Sequence, residues 1–307
     1  MKFAFFGTAP FAVPALERLA PHIELVVSQP DRPTGRGLKT QMSPVKAKAL
    51  EIGLPVETPE KCRAPEYVER LQQLEVDAFI VAAYGQILPQ RILDIPPRGC
   101  INLHGSILPR WRGAAPVQRC MEAGDTISGV TLMQMDKGMD TGDIIAIEET
   151  PIGESEVAGE LYYRLSILAA DMIEAWAPRI ASGDYERVPQ DNDLATKAPK
   201  VTKSDSQLSF EQSAAEAYRM FRAFTPAPGA WIETSLGILK IHEIEPIDGS
   251  GTVGQVLAVR PNLVVAFAEG ALNLVQVQPE GRKRLSGADF ANGARIEVGD
   301  CLLPTKR

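Results

Sequence analysis

A short apolar run closed by glycine and proline stands at residues 2–10: Lys2-Phe3-Ala4-Phe5-Phe6-Gly7-Thr8-Ala9-Pro10. Its first five residues predict a β-strand, and the residues that follow predict a helix to about Leu19. The order then repeats, because residues 23–28 are strand-like and Ser43-Pro44 supplies the N-cap and first residue of a helical stretch to Ile52. Alternating strands and helices are typical of a parallel sheet covered by helices. The predicted fold is therefore α/β, with a Rossmann-like, mostly parallel sheet.

Further strands are predicted at residues 77–83, 99–104 and 128–135, and a long helix within residues 156–180. The run at 77–83 is nearly all apolar, which is typical of a strand buried on both faces. The turn at Gly7 is not Gly-x-Gly-x-x-Gly, so a tight strand-to-helix turn is favoured over a dinucleotide site.

The sequence changes character near Asp191, where a polar, aperiodic segment predicts a linker. A helix at about 210–224 follows, and then five short strands at 230–235, 237–244, 253–259, 262–268 and 271–278. This spacing favours a small β-barrel of the oligonucleotide-binding (OB-like) kind, although a sandwich fits almost as well. The predicted division is a first domain at 1–190, a linker at 191–205 and a C-terminal domain at 206–307.

Composition limits the class of protein. The chain has 307 residues, 45% hydrophobic and 23% charged, with no stretch apolar enough to span a membrane and too few apolar residues near Met1 for a signal peptide. We therefore expect a cytoplasmic protein. The four cysteines form no Cys-x-x-Cys pair, so neither a disulfide framework nor a zinc ribbon is indicated.

The net charge of −7 argues against a protein that coats nucleic acid with its whole surface. The charge is uneven, however, since residues 197–307 hold 13 Lys+Arg and 12 Asp+Glu, a net charge of +1 against −8 for the rest. The C-terminal part is the better candidate for contact with a polyanion.

The most informative stretch is Cys100-Ile101-Asn102-Leu103-His104-Gly105-Ser106. Asn102 and His104 are two residues apart on a predicted strand, so their side chains leave the same face, near the strand end where open α/β sheets bind ligands. An amide donor beside an imidazole suits an oxygen that gains negative charge, as in acyl transfer. A single histidine is more often structural, but the glycine that follows allows a ligand close to the backbone.

Three other segments carry polar or charged residues for which the sequence allows both a structural and a functional role. The loop from Gln29 to Ser43 carries three cations (Arg32, Arg36 and Lys39), and its composition alone suits a solvated loop equally well. Two arginines flank Trp111, which fits a surface turn or a stacking contact with substrate. Three aspartates stand at 136–143 without the glutamate of a calcium loop, so we expect no metal; one of these acids is a candidate partner of His104.

The residues 102–116, Asn102-Leu103-His104-Gly105-Ser106-Ile107-Leu108-Pro109-Arg110-Trp111-Arg112-Gly113-Ala114-Ala115-Pro116, together with Met139-Asp140-Thr141-Gly142-Asp143-Ile144, closely resemble the folate-dependent formyltransferases, and among them those that act on methionyl-tRNA. The resemblance covers nearly the whole chain. It implies transfer of a formyl group from 10-formyltetrahydrofolate to the α-amine of methionine on initiator tRNA.

The resemblance also implies roles for particular residues. The catalytic trio is Asn102, His104 and Asp140; the folate-binding residues are Ser106, Ile107, Leu108 and Pro109, with Gly85, Gln86, Ile87 and Leu88 on the pterin side. Arg36 matches the tRNA-sensing arginine of the family, and Arg32 and Lys39 accompany it in the loop. The C-terminal domain is expected to bind tRNA, the protein is expected to be a monomer without membrane contact, and a longer basic tail is not seen after the barrel.

Two alternatives remain at this point. Other folate formyltransferases, acting on a nucleotide amino-sugar or on glycinamide ribonucleotide, use the same trio. A non-enzymatic nucleic-acid-binding protein would explain the barrel but leave the trio without a task.

Overall fold

The computed structural model describes residues 1–34 and 39–304. The chain divides into two compact units: unit 1 comprises Met1–Pro116, Ile127–Pro151 and Tyr162–Ala198, and unit 2 comprises Val117–Thr126, Ile152–Leu161 and Pro199–Arg307. Unit 2 thus includes two short segments that interrupt unit 1 along the chain.

Unit 1 is built on a seven-stranded sheet with helices between its strands. Its strands are β1 (Phe3–Gly7), β2 (Ile23–Val27), β3 (Arg32–Thr34), β4 (Lys39–Gln41), β5 (Val56–Glu57), β6 (Ala78–Ala82), β7 (Cys100–His104), β8 (Arg112–Gly113), β9 (Ile127–Gln134), β10 (Ile144–Pro151) and β11 (Lys197–Ala198). The helices that precede β11 in the chain are α1 (Val13–Leu19), α2 (Pro44–Glu51), α3 (Pro65–Gln72), α4 (Gln90–Leu93), α5 (Pro116–Ala123) and α6 (Ala158–Ser182). Single 3-10 turns lie at Pro10–Ala12, Ala20–His22 and Asn192–Leu194.

The large sheet has the strand order β10-β9-β7-β6-β1-β2-β5. The strands from β5 to β7 are parallel, and β9 and β10 add two antiparallel strands at one side. The chain first proceeds outward from β1 to β2 and β5, then returns to place β6 on the other side of β1. In open α/β sheets, ligands bind in the crevice that such a reversal creates, which here lies at the carboxyl ends of β1 and β6. The predicted parallel sheet is confirmed.

Burial explains the central strands. All residues of β1, β6 and β7 are buried, as the apolar run at 77–83 predicts. The predicted start of α2 is also confirmed, because the Ser43 side chain accepts a hydrogen bond from the Lys46 backbone N–H at 3.0 Å and Pro44 stands at the first helical position.

Unit 2 is dominated by a second sheet. Its strands are β12 (Gln207–Leu208), β13 (Trp231–Thr234), β14 (Gly237–Ile247), β15 (Val256–Ala258), β16 (Leu263–Ala266), β17 (Ala271–Pro279) and β18 (Leu285–Ser286), and it holds α7 (Ala214–Phe224), α8 (Gly287–Ala294) and a 3-10 turn at Ser204–Ser206. The order is β12-β13-β14-β17-β16-β15, with β18 paired to β17. All pairings except β12 with β13 are antiparallel. Unit 2 is therefore built on one curled, mostly antiparallel sheet and is not a sandwich, which the strand spacing also allowed.

The core of unit 2 lies between this sheet and helices α7 and α8, with Phe210, Phe221, Phe267 and Phe290 among its buried residues. Helix α7 begins at Ala214, a few residues after its predicted start, because the Ser213 side chain caps it in a box with Glu216. Throughout the described residues, no helix combines the length and apolar composition needed to cross a bilayer.

Candidate active site

The candidate site lies at the carboxyl end of β7. Asn102 and His104 are on the same strand face, 9% and 6% exposed. The neighbouring strands hold them in register: Asn102 pairs with Val81 of β6 and Met133 of β9, and His104 pairs with Thr131. Among the described residues, none forms a hydrogen bond with the Asn102 side-chain amide. The amide is not fully enclosed, so it is accessible to a ligand.

His104 lies between a carbonyl and a carboxylate. Its Nε2 is 3.0 Å from the Trp111 carbonyl oxygen, and its Nδ1 is 3.8 Å from Asp140 Oδ2. A carbonyl can only accept a hydrogen bond, so Nε2 carries the proton that it donates there. In the neutral imidazole, Nδ1 is then the nitrogen with the free electron pair. The structure therefore brings His104 and Asp140 together, with a gap slightly longer than a hydrogen bond.

Asp140 is placed by the turn between β9 and β10. Its backbone adopts φ +55°, and its Oδ2 accepts a hydrogen bond of 2.8 Å from the Gly113 N–H. Asp136 stabilises the same turn, since its Oδ1 accepts bonds from the Gly138 N–H and the Thr141 hydroxyl. The three aspartates thus differ in their surroundings, and the one at 140 faces the histidine.

The segment Ser106–Pro109 leaves β7 directly after His104. The Ser106 hydroxyl donates to the Arg110 carbonyl at 2.8 Å, which closes a compact turn with a cis Leu108–Pro109 peptide. The buried Thr131 hydroxyl anchors the turn from β9, because it donates to the Ser106 carbonyl at 2.7 Å and accepts from the Leu108 N–H at 3.0 Å. Leu108 is buried, whereas Ile107 and Pro109 are half-buried.

The segment Gly85–Leu88 follows β6, the strand beside β7. The carbonyl of Tyr84 accepts bonds from the Thr8 hydroxyl (2.8 Å) and the Gln29 side chain (2.9 Å), so the loops after β1, β2 and β6 are tied together at the crevice. Gly85 has φ +82°, and a Cβ there would overlap the Gln29 amide, so glycine is required.

Below this segment lies a small buried group. The Gln86 side chain accepts from the Cys62 N–H at 2.9 Å, and burial raises the pKa of both the Cys62 thiol and the Tyr84 hydroxyl. Ile87, by contrast, is 80% exposed and Leu88 is buried. The exposed Ile87 side chain is therefore carried by a segment that Gln86 and Leu88 hold in place.

The cationic loop is described in part. Residues Arg32–Thr34 and Lys39–Gln41 pair as a short antiparallel hairpin, and the Arg32 guanidinium is 3.1 Å from Glu60 Oε2. At its base, the Lys46 ammonium bonds both oxygens of Asp31 at 2.8 Å. Arg36 lies outside the described residues, and of Lys39 the structure describes the backbone.

Sequence reasoning missed the polar residues that hold the site together. Thr131 lies within a predicted strand, and Gln190 lies beside the predicted linker. Neither the strand pattern nor the linker composition distinguishes these residues from their neighbours. For Trp111 the sequence left a surface turn and a stacking contact with substrate open; in the structure its backbone carbonyl bonds His104, the residue is half-buried, and the Arg110 guanidinium lies 5.3 Å from its ring. Within residues 1–34 and 39–304, no group of three or more His, Cys, Asp or Glu side chains is arranged to hold a metal ion.

Sequence comparison identifies the class that this fold and site define. The profile of the formyl transferase family matches residues 1–175, and that of the formyl transferase C-terminal domain matches residues 200–295. The two matches cover the sheet with the candidate site and most of unit 2. They define a two-domain formyl transferase.

Relatives extend the match to the whole chain. The methionyl-tRNA formyltransferase of Neisseria meningitidis serogroup C is 44% identical over 308 residues, which covers 98% of this chain and all of the relative. That of Geobacter metallireducens is 43% identical over 97% of each chain. The chain therefore belongs to the methionyl-tRNA formyltransferase family.

Structure comparison supports the fold. The N-formyltransferase from Helicobacter canadensis, in complex with folinic acid and dTDP-3-aminofucose, superimposes with a TM-score of 0.68. The match covers 89% of this chain and 98% of the other at 18% identity, so the two share a fold.

Proposed function

We infer that this chain transfers a formyl group from 10-formyltetrahydrofolate to the α-amine of methionine on initiator methionyl-tRNA. Family membership over the full length supports the reaction. The observation that carries the residue assignment is the pair at the end of β7: an amide with no hydrogen-bond partner among the described residues, beside a histidine that faces a carboxylate.

The acceptor needs little activation. A free α-amine has a pKa of about 7.7 to 8.0, and esterification of the same residue lowers it, so much of the amine is neutral near pH 7. Its attack on the formyl carbon gives a tetrahedral oxyanion and a cationic nitrogen. The Asn102 amide N–H donates to that oxyanion, because it makes no hydrogen bond to any other group among the described residues.

His104 handles the surplus proton. Its Nε2–H is already donated to the Trp111 carbonyl, so Nδ1 is the atom that takes the proton from the cationic nitrogen. Asp140, 3.8 Å away, stabilises the resulting imidazolium. When the bond from carbon to the folate nitrogen breaks, the carbonyl re-forms and the imidazolium returns the proton to that nitrogen. The products are the formylated amine and tetrahydrofolate.

The folate is assigned to the carboxyl end of the sheet between β6 and β7, next to the crevice between β1 and β6 where the strand order reverses. The segment Ser106–Pro109 follows β7 and the segment Gly85–Leu88 follows β6, so both leave the same edge of the parallel sheet. A ligand between them lies beside Asn102 and His104. The exposed Ile87 then offers an apolar contact to a flat ring.

The tRNA is assigned to the loop cations Arg32, Arg36 and Lys39 and to the C-terminal domain, residues 206–307. A protein of net charge −7 needs clustered cations to hold a polyanion, and the C-terminal residues carry the more positive balance. The acceptor is a component of translation, so we place the reaction in the cytoplasm. We further propose that the protein acts as a monomer.

Formylation can be measured directly. The protein is incubated with methionyl-tRNA and 10-formyltetrahydrofolate, and formylmethionine is released from the tRNA and quantified. A dTDP-amino-sugar and glycinamide ribonucleotide serve as parallel acceptors. Formylation of the tRNA alone is expected; transfer only to a sugar or to glycinamide ribonucleotide, or transfer to none, would overturn the proposal.

A further inference from the structure

A glutamine at the end of unit 1 is bonded to the turn that carries Asp140. The Gln190 side-chain amide donates to the carbonyls of Asp140 (2.9 Å) and Gly142 (2.7 Å), and its oxygen accepts from Arg112 Nε (3.0 Å) and Nη2 (2.7 Å). Gln190 is only 8% exposed. One side chain thus joins the Asp140 turn to the strand that follows Trp111, with its amide hydrogens and its oxygen all used.

A second residue of the same segment contacts the other side of His104. The Thr196 hydroxyl accepts from the Trp111 N–H at 2.9 Å, and the Thr196 carbonyl accepts from the Arg112 N–H at 2.9 Å. Strand β11 then pairs with β8, where Gly113 has φ +131° and a Cβ would overlap the Ala198 carbonyl. The segment 190–198 therefore braces both residues that touch His104: Trp111 through its N–H, and Asp140 through its carbonyl.

These contacts matter because both Asp140 and Trp111 have an unfavourable backbone conformation. Asp140 has φ +55° and Trp111 has φ +64°. A left-handed conformation is unfavourable for a residue with a Cβ, more so for Trp than for Asp, so contacts with the surroundings are needed to hold it. Relaxation of either backbone would move the Trp111 carbonyl or the Asp140 carboxylate away from the imidazole.

We propose that Gln190 and Thr196 are positioning residues for formyl transfer, which hold Asp140 and the Trp111 carbonyl at the two nitrogens of His104. This inference rests on the proposed function and extends it to the segment that sequence analysis predicts as a linker. Neither residue touches substrate in this scheme; each acts through the geometry of His104.

The test uses Gln190→Glu in the full-length protein. The substitution keeps the size of the side chain and the acceptor for Arg112, but it faces the Asp140 and Gly142 carbonyls with an oxygen that repels them. Because a small misplacement of a catalytic group is enough to slow a reaction strongly, kcat is expected to fall at least about tenfold, with KM for folate and tRNA within about threefold of wild type. Hydrogen exchange of the Gly113 amide, whose N–H donates to Asp140, is expected to accelerate.

Asn192→Ala is the matched control. Its side chain accepts from Nη1 of the same Arg112 at 3.0 Å, but it does not touch the Asp140 turn. Its kcat and its Gly113 exchange should equal those of wild type. Wild-type kcat in Gln190→Glu, or a lower kcat with unchanged Gly113 exchange, would overturn the proposal.

A second variant covers the case in which Gln190→Glu does not fold. Thr196→Val has the same shape and lacks only the acceptor for Trp111, and it is expected to lower kcat at least about threefold at unchanged KM. Wild-type kcat in that variant would then overturn the proposal. An inactive wild type would contradict the proposed function instead, and Gly113 exchange in Gln190→Glu would still show whether the glutamine holds the turn.

Discussion

Asn102 gives the sharpest test of the mechanism because its side chain makes no hydrogen bond to any other described residue, so a substitution there breaks none. Asn102→Asp keeps the shape and replaces the donor amide with an acceptor. Removal of one oxyanion donor costs on the order of 3 kcal/mol, so kcat should fall about a hundredfold or more. The measurement is single-turnover formylation at saturating folate and tRNA, with the melting temperature recorded beside it. A kcat close to wild type would remove Asn102 from the oxyanion site.

Substitution of His104 and of Asp140 tests whether the two side chains take part in proton transfer. His104→Ala removes the proton acceptor, and Asp140→Asn retains an oxygen for the Gly113 N–H while it removes the charge. Each is expected to lower turnover at least about tenfold. His22→Ala, in a 3-10 turn after α1, is the control and should leave turnover unchanged. Near-normal turnover in both site variants would exclude the pair from the mechanism.

The cysteines offer a separate test of burial at the residue scale. Cys62, Cys100 and Cys120 are buried and Cys301 is exposed, and burial raises the pKa of the Cys62 and Cys100 thiols. A raised thiol pKa lowers the reactive thiolate fraction at any pH below it. A thiol reagent at pH 8 should therefore modify one site rapidly, and Cys301→Ser should abolish that phase. Rapid modification of several thiols in the native protein would contradict the buried placement.

Part of the candidate site could be predicted from the sequence, and part could not. Asn102 and His104 were recognisable because a two-residue spacing on a strand places both side chains on one face. Asp140 was one of three acids in a turn, and only the bond of Asp136 within that turn shows which acid faces the histidine. Gln190 and Thr131 act through backbone carbonyls in distant segments, and no local pattern encodes such contacts.

At the level of elements, the turn at 202–205 and helix α5 are joined by a carboxylate. Asp205 accepts from the Thr202 N–H and from Arg119, and these bonds lower the pKa of Asp205. A lowered folded-state pKa stabilises the protein above the unfolded-state pKa, and this contribution is lost as pH falls through the folded-state value. Asp205→Asn should therefore lower the melting temperature at pH 7 by about 2 to 4 °C. The difference should shrink as the pH falls below the ordinary Asp pKa of about 3.9, where the carboxylate begins to take up its proton; a difference that stays constant as the pH is lowered through this range would contradict the assignment.

Long, strongly patterned elements were predictable and short ones were not. The helix predicted within 156–180 is observed as Ala158–Ser182, and the strand predicted at 128–135 as Ile127–Gln134. The β3–β4 hairpin escaped prediction because its strands have three residues each and consist of polar residues and proline. Strand β10 escaped because its alternation is broken by acidic residues on a half-buried edge. Pairing partners, rather than local propensity, determine such elements.

At the scale of the whole molecule, charge sets the terms on which a polyanion can bind. The chain carries 39 acidic and 32 basic residues, so tRNA must be held by few cations placed close together. Several arginines outside this loop are paired with carboxylates, namely Arg18, Arg70 and Arg119, and within the loop Arg32 is paired with the exposed Glu60. The loop at 29–41, with three cations in eight residues, is therefore where a single substitution should alter tRNA use most.

Arg36 belongs to that concentration of charge, so its substitution tests the proposed tRNA contact. Arg36→Ala should raise KM for tRNA and leave folate binding unchanged, because the proposed folate segments follow β6 and β7. A plot of log K against log salt concentration for tRNA binding should become shallower by about one phosphate contact, since each neutralised phosphate releases condensed counterions. Arg18→Ala is the matched control: it also removes one positive charge, but from a guanidinium paired with two carboxylates, so its slope should equal that of wild type. If Arg36→Ala and Arg18→Ala give the same slope and the same KM, the loss reflects net charge alone, and Arg36 makes no direct contact with the tRNA backbone.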